Sequence, residues 1–403
     1  MRKGGFDLEF IAIVIVVVLA LGILEKLIHD RHLKKLPIRI NINGTRGKST
    51  VTRLITSVLA EAGYKVVGKT TGTSARVIYW FKEEERPLIR GPLGPNIIEQ
   101  RGVVSEAAAL GAEAFVTECM AVTPDYQITF QEQLAQATIG VIVNVREDHL
   151  DLCGPTLDNI AESFLATIPY NGHLIISDGD YNTYFTNKAL ERNTKTIIAY
   201  ESKVPARNYL NKFTYIIFPE NVALAMAVAE ALNIDEKTAL AGILKARPDP
   251  GALQILSIGD DRPAYFVNAF AANDPSSTLM IWKHISTIGY PVKDPIVVLN
   301  CRADRVDRTL QYAESVFPNM DIGILVVLGQ ITKPITEAME KGKFKPRKYL
   351  NFEGVSTESA FEQIKDQLSN RVIFCIGNIH GSGEEFIALI TTYALELMDS
   401  KLQ

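Results

Sequence analysis

The stretch NINGTRGKST, residues 41–50, sets two glycines, a lysine and three hydroxyl side chains where a phosphate could be cradled. A full phosphate loop reads G-x-x-x-x-G-K-[ST], and here Ile42 stands at the first glycine position. What remains is Gly44, Thr45, Arg46, Gly47, Lys48, Ser49 and Thr50. Backbone N–H groups of such a loop, continued into a helix start, face anionic oxygens. Lys48 can neutralise β/γ-phosphate oxygens and the Ser49 hydroxyl can ligate Mg²⁺. A bland alternative is a Gly-rich turn with a solvated lysine, but a strand–GxxGKST–helix setting argues against it.

Two further groups carry chemistry. Glu118 ends the apolar run AFVTE, and ligands of open α/β sheets bind at strand carboxyl ends. A carboxylate there can hold Mg²⁺ against a nucleotide, or simply cap the strand. NVREDHLDLCG (144–154) follows another apolar run, and Asp148, His149 and Asp151 form a compact acid–imidazole–acid group. Metal binding or phosphate contact suits that group, against the plainer reading of a structural histidine.

The elements that must position these residues alternate between short apolar runs and helical patterns. IRINI (38–42), YKVVG (64–68), AFVTE (114–118), TIGVIVN (138–144), HLIIS (173–177), TIIAY (196–200) and TYIIF (214–218) read as strands. STVTRLITSVLAEAG (49–63) reads as a helix stopped by Gly63, and ENVALAMAVAEALNI (220–234) as another. Continuous apolar strands between helices predict a mostly parallel sheet covered on both faces. After a Pro/Gly-rich hinge near Pro248, Pro250 and Gly251 the alternation restarts. The fold class expected is α/β throughout: residues 1–35 an anchor and juxtamembrane segment, 36–247 a nucleotide-binding domain, 248–403 a second α/β domain.

The chain has 403 residues and a net charge of −4, so no general attraction to nucleic acid is expected. Four cysteines at long spacings, with no C-x-x-C, argue against a zinc site or a disulfide framework. FIAIVIVVVLALGIL (10–24) is uncharged and bounded by Glu9 and Glu25. It is short for a bilayer span, but flanking residues extend it if their charged ends snorkel. A signal peptide has an equally short apolar core, though no good cleavage site follows. Lys26, Arg31, Lys34 and Lys35 outweigh Arg2 and Lys3, which predicts a single-pass anchor in the cell membrane with the body in the cytoplasm.

The shortened loop, the strand-terminal Glu118 and N-x-x-x-D-H-x-D together resemble the Mur ligase superfamily. Within it the chain is most similar to the ligase subunits of poly-γ-glutamate synthase, the CapB/PgsB family. TTGT (70–73), GPNIIEQ (94–100), NAFAANDPSST (268–278), NCRADR (300–305) and GNIHGSG (377–383) carry that resemblance. It implies a transmembrane helix, a Mur-ligase-like P-loop ATPase domain and a Rossmann-like C-terminal domain. It also implies ATP and Mg²⁺ as cofactors and an acyl-phosphate route to γ-amides of glutamate. Lys48 would hold ATP phosphates, Ser49 and Glu118 Mg²⁺, and His149 either a second Mg²⁺ or the transferring phosphate. Asn221 would contact adenine, a role compatible with its also capping the helix that follows. Glutamate, the growing chain and small integral-membrane subunits are the implied partners, with a homo-oligomer also compatible.

The departures are specific. The helix TLDNIAESFLAT (156–167) lacks the lysine whose carbamate supports a second metal in most relatives, and Glu162 is the candidate replacement. The hinge reads Pro250-Gly251-Ala252 where relatives often carry P-G-R, leaving Arg247 as a stand-in. Asn273 and Asp274 stand in the phrase that replaces D-Y-A-H. Arg302 and Arg305, with Arg308 a turn later, form a cationic group suited to a glutamate carboxylate or polyanionic chain. His380 and its glycines form a loop at the same face. Two other readings stay open: a membrane-tethered P-loop ATPase energising transport without amide formation, and a scaffold with a degenerate site.

Overall fold

The computed structural model describes residues 4–399 except 72–74, 91–93, 147–153, 206, 211, 214, 216, 250–254, 260–261, 271, 273 and 288. Eight strands build the first sheet: β1 (Ile38–Asn43), β2 (Val66–Lys69), β3 (Arg76–Tyr79), β4 (Arg86–Pro87), β5 (Ala114–Glu118), β6 (Ile139–Ile142), β7 (His173–Ser177) and β8 (Lys195–Ala199). Their order is β4-β3-β2-β5-β1-β6-β7-β8. All neighbours from β2 to β8 are parallel. The β2–β3 and β3–β4 pairs at one edge are antiparallel.

The central strands are apolar along nearly their whole length because helices cover both faces. Every residue of β2, β5 and β6 is buried. The helix Lys48–Glu61 packs so closely on β2 that a methyl at Gly68 would run into the Thr56 side chain. It ends as expected at Gly63, whose φ of +86° is left-handed. β5 and β7 coincide with the apolar runs that announced them. The run 214–218 forms no strand among its described residues: Tyr215 makes a single bridge, and Pro219 opens the helix Pro219–Ala231.

The second sheet has six strands, β9 (Ile255–Ile258), β10 (Ala264–Asn268), β11 (Ile296–Cys301), β12 (Ile324–Gly329), β13 (Lys348–Glu353) and β14 (Val372–Gly377). The order is β13-β12-β11-β14-β10-β9, parallel except for β9. Its core gathers Phe266, Val298, Val326, Phe361, Ile373 and Phe386. The chain divides into two units, residues 1–205 with 217–250, and 206–216 with 251–403.

The N-terminal helix Gly4–Lys34 is long enough to cross a membrane, an 18-residue window within Glu9–Lys34 having a mean hydropathy of 2.8. Its last turns dock on the first unit. Glu25 pairs with Arg101 at 2.5 Å, His29 shares a hydrogen bond with the Leu134 carbonyl, and Asp30 accepts one from Gln136. Leu33 and Leu36 sink among Val67, Val103, Val104 and Phe115. The Arg39 guanidinium closes the turn by donating to the Leu36 and Gln136 carbonyls, both at 2.7 Å.

Candidate functional site: the phosphate loop and its cleft

Strand register brings the chemistry to one edge. Ile42 of β1 lies opposite Glu118 of β5, and Lys69 of β2 opposite Thr117. β1 then runs into a loop that only glycine permits at two points. Gly44 has φ +123°, and a Cβ there would meet the Val143 nitrogen at 2.9 Å; Gly47 has φ +88°. The loop is fastened to the end of β6. Asn144 accepts from the Arg46 amide at 3.0 Å and donates to its carbonyl at 3.1 Å. Thr45 donates its hydroxyl to the Arg146 carbonyl and accepts from the Arg146 amide, both at 3.0 Å. Beneath it, Asn43 is held by Gln127 and Thr167 and accepts the Gly44 amide.

Lys48 opens the helix and folds back, its Nζ donating to the carbonyls of Gly44 at 2.7 Å and Thr45 at 3.1 Å. Ser49 donates to Glu118 Oε2 at 2.9 Å, and that oxygen also accepts the Thr71 amide at 2.8 Å. Glu118 is only 4% exposed. Thr50 follows, half-buried in the first turn. A cleft of about 210 Å³ opens here, lined by Gly44, Thr45, Lys48, Thr71, Arg90, Met120, Ile160 and Phe164, among others. Cys119 also faces it, and burial pushes its thiol up to about 12, so it is an inert wall.

Beside Glu118 sits an ion group that no motif in the sequence marks. Lys69, with no exposed surface, pairs with Glu99 at 3.0 Å. Arg90 grips the same carboxylate through two nitrogens, both at 3.2 Å, and donates to the Thr71 carbonyl at 3.0 Å. Burial lowers the Lys69 ammonium from its ordinary value, against the pull of Glu99. Burial alone would raise the Glu99 carboxyl, but the hydrogen bonds and charges of Arg90 and Lys69 hold it low.

Asn221 is 3% exposed, and its Oδ1 has no hydrogen-bond partner. It does not cap its helix: Phe218 occupies the cap and Pro219 presets the first turn, leaving Asn221 inside that turn. The same oxygen lies 2.9 Å from where a Gly47 Cβ would stand. Nearby Arg146 donates twice to Glu220 at 3.0 Å, and burial keeps the Glu220 carboxyl above its usual range in spite of that charge. An orphaned amide oxygen over a side-chain-free loop fits a nucleotide, and the Ser49/Glu118 oxygens fit the hard-donor preference of Mg²⁺. Among the described residues no cluster of three or more His, Cys, Asp or Glu offers another metal site.

Several expected residues lie elsewhere. Asp148, His149 and Asp151 fall outside the described residues, as do Pro250–Ala252 of the hinge and Asn273. Glu162 is exposed and stands by Tyr184, whereas Ile160 and Phe164 face the cleft. Helical geometry puts 160 and 164 on one face and turns 162 away from this cleft. Arg247 is spent on Glu83, donating to its carbonyl and pairing with its carboxylate at 3.5 Å, and lines a different cavity. In the second unit Arg302 chelates Asp304 at 2.8 and 3.0 Å, Arg305 is exposed, and Arg308 donates to Asn378 at 2.8 Å, all past the end of β11. Asp274 caps the helix Pro275–Thr287, accepting the Ser277 amide at 2.8 Å. His380 pairs with Glu384 in solvent.

Comparison with known proteins fits this geometry. Residues 42–244 match the Mur ligase middle domain, and 255–393 the poly-gamma-glutamate synthase CapB C-terminal domain. PGA synthase CapB of Bacillus subtilis (strain 168) is 56% identical over 385 residues, 95% of this chain and 98% of the relative. The capsule biosynthesis protein CapB of Bacillus anthracis is 55% identical over 391 residues, 96% of this chain and 84% of the relative. Among solved structures, the bifunctional folylpolyglutamate synthase/dihydrofolate synthase of Yersinia pestis, complexed with AMPPNP and Mn ion, superposes with a TM-score of 0.61. It is 14% identical, with 91% of this chain and 92% of that one covered, a likeness of fold. The chain therefore belongs to the CapB family of poly-γ-glutamate synthases, built on the Mur ligase fold.

Proposed function

We propose that the chain is an ATP-dependent amide ligase that joins glutamates through γ-linkages. The observation that carries this reading is the Ser49–Glu118 contact next in sequence to Lys48, which lines the cleft, in a chain of this family. In this reading the loop Gly44–Thr50 holds the ATP phosphates through Lys48 and the amides from Gly47 onward, those of Gly44, Thr45 and Arg46 being given to Asn43 and Asn144. Ser49 and Glu118 would hold Mg²⁺, which when bound offsets phosphate charge, and His149 would ligate a second ion or touch the transferring phosphate. Asn221 meets the adenine, and Arg302 and Arg305 receive glutamate or polymer carboxylates.

A γ-carboxylate oxygen attacks the γ-phosphorus as its bond to ADP breaks, giving an acyl phosphate. The amine of another glutamate then attacks the acyl carbon; phosphate leaves, the amine loses a proton, and a γ-amide remains. Lys48 is pre-positioned for the first step, since the carbonyls it now serves belong to the phosphate loop itself. Ile160, Phe164 and Met120 limit water around an intermediate that hydrolyses readily. The N-terminal helix anchors the chain in the cell membrane with the body in the cytoplasm, and integral-membrane partners take up the product.

The test is phosphate release by the full chain in lipid vesicles with its membrane partners, with ATP and Mg²⁺, with and without glutamate. Release should require glutamate and fall at least ~100-fold in Lys48→Ala, with hydroxylamine trapping γ-glutamyl hydroxamate. Turnover that ignores glutamate but still needs Lys48 would favour a transport ATPase instead.

A further inference from the structure

We propose that Glu220 is a positioning residue for the phosphate loop, acting through Arg146. The inference rests on the reading above in which that loop holds ATP, and names a group that sets where the loop stands.

The loop leans on the segment that follows β6. The Thr45 amide donates to the Asn144 carbonyl at 3.1 Å. The Asn144 side chain bonds both main-chain groups of Arg46, and the Thr45 hydroxyl bonds both main-chain groups of Arg146. Where residues 144–146 stand, the loop therefore stands. β6 itself ends at Ile142, so its ladder does not fix that segment.

The helix Pro219–Ala231 supplies the support. Glu220, in its first turn, accepts from the Arg146 guanidinium through both carboxylate oxygens, each at 3.0 Å. The Asn144 side chain gives the same carboxylate a further hydrogen bond. The next residue, Asn221, has its amide oxygen 2.9 Å from where a Gly47 Cβ would stand. One helical turn thus meets the loop at two points: Asn221 at Gly47 directly, and Glu220 at Thr45 and Arg46 through residues 144 and 146. A carboxylate in that turn also suits the helix dipole.

The carboxylate stands there at a cost to the fold. Its side chain is 20% exposed against 37% for that of Arg146. Burial raises the Glu220 carboxyl against the charge of Arg146, and Glu201 raises it further. A pair that served stability alone would do better facing water or replaced by apolar side chains. A small displacement of Lys48 and the amides from Gly47 onward, by contrast, weakens their hold on phosphate.

The readout is ATP rather than glutamate, in the full chain in vesicles. Glu220→Gln keeps the side-chain shape and removes the charge. Arg146→Gln removes the other half of the pair and leaves the main-chain groups that Thr45 bonds. Each should bind a fluorescent ATP analogue about tenfold more weakly. In hydroxamate formation from ATP, glutamate and hydroxylamine, the KM for ATP should rise by about as much, and that for glutamate by less than about threefold. The two side chains act as one unit, so the double variant should be about as weak as either single one. Glu220→Asp, with the charge on a shorter arm, should recover part of the loss.

Unaltered ATP-analogue binding in Glu220→Gln, with a lower melting temperature, overturns the proposal, since that marks an ion pair that only holds the fold. Losses that multiply to about 100-fold in the double variant also overturn it, because Glu220 then acts without Arg146. Should Glu220→Gln fail to fold, wild-type ATP-analogue binding in both Glu220→Asp and Arg146→Gln overturns it instead. A wild type that binds no ATP analogue overturns the nucleotide reading of the loop itself, a different signature.

Discussion

Glu99 answers to two cations, one fully enclosed and one at the cleft, and this asymmetry sets what each substitution does. Glu99→Gln leaves the enclosed Lys69 without its ion-pair partner, at a cost of about 3–5 kcal/mol. Lys69→Met removes the enclosed charge along with its desolvation cost, and Glu99 keeps Arg90, so the loss should be about 1 kcal/mol or less. The pH dependence follows from the carboxyl lying below its usual range. A depressed carboxyl contributes stability above its unfolded value, about 4.3, and loses that contribution as pH falls through the native value. The gap between wild type and Glu99→Gln should therefore be widest near neutrality and close in acid. Urea melts of the full chain in detergent at several pH values read this directly. A gap unchanged from neutral to acid pH would mean Glu99 is not held ionised by its neighbours.

At the level of elements, β1, the loop and the first helix were legible because each obeys a local rule. The apolar run, glycines at left-handed positions and a helix stopped by Gly63 all sit within a few residues of one another. The meeting of Ser49 with Glu118 was also readable, since both end up at strand carboxyl ends of one parallel sheet. Lys69, Arg90 and the Asn144 clamp were not, because their roles depend on which strand lies beside which. Only the β2–β5 register makes Lys69 an enclosed lysine opposite Thr117. The antiparallel β3–β4 edge was missed for a similar reason: strands of four and two residues carry too little periodicity. The loop gives a controlled prediction. Gly47→Ala should cost about 1–2 kcal/mol from its left-handed backbone and, by pressing on Asn221, weaken ATP-analogue binding at least ~10-fold. Gly63→Ala has the same backbone sign, φ +86°, with nothing within 4 Å of its new methyl, so it should lose similar stability and no nucleotide affinity. Equal affinity losses in the two would show that the Gly47–Asn221 approach is irrelevant to the nucleotide.

For the chain as a whole, the way the N-terminal helix is fastened predicts which side of the first sheet would face a bilayer holding that helix. Leu33 and Leu36 offer their carbonyls to Arg39, at the start of β1, and Asp30 meets Gln136, just before β6. Eight residues back along the helix, Glu25 meets Arg101, whose neighbour Gln100 bonds Thr117 near the end of β5. The helix thus climbs, read backwards, from the edge where strands begin to the edge where they end, about 12 Å at 1.5 Å per residue. The apolar stretch 10–24 continues from there, exposed at every residue. With that stretch in lipid, the bilayer is expected on the side where the phosphate loop opens, and the cleft would then deliver its product towards the membrane. Ile98, exposed at the start of the helix Glu99–Ala109, and Leu110, exposed at its end, report on the two edges. Each is replaced by cysteine and labelled with a fluorophore in the full chain; the described native thiols are buried and slow to compete. In vesicles carrying a spin-labelled lipid quencher, the label at 98 should be quenched several-fold more than the label at 110. Stronger quenching at 110 would turn the cleft away from the bilayer and leave the polymer to reach the membrane by another route.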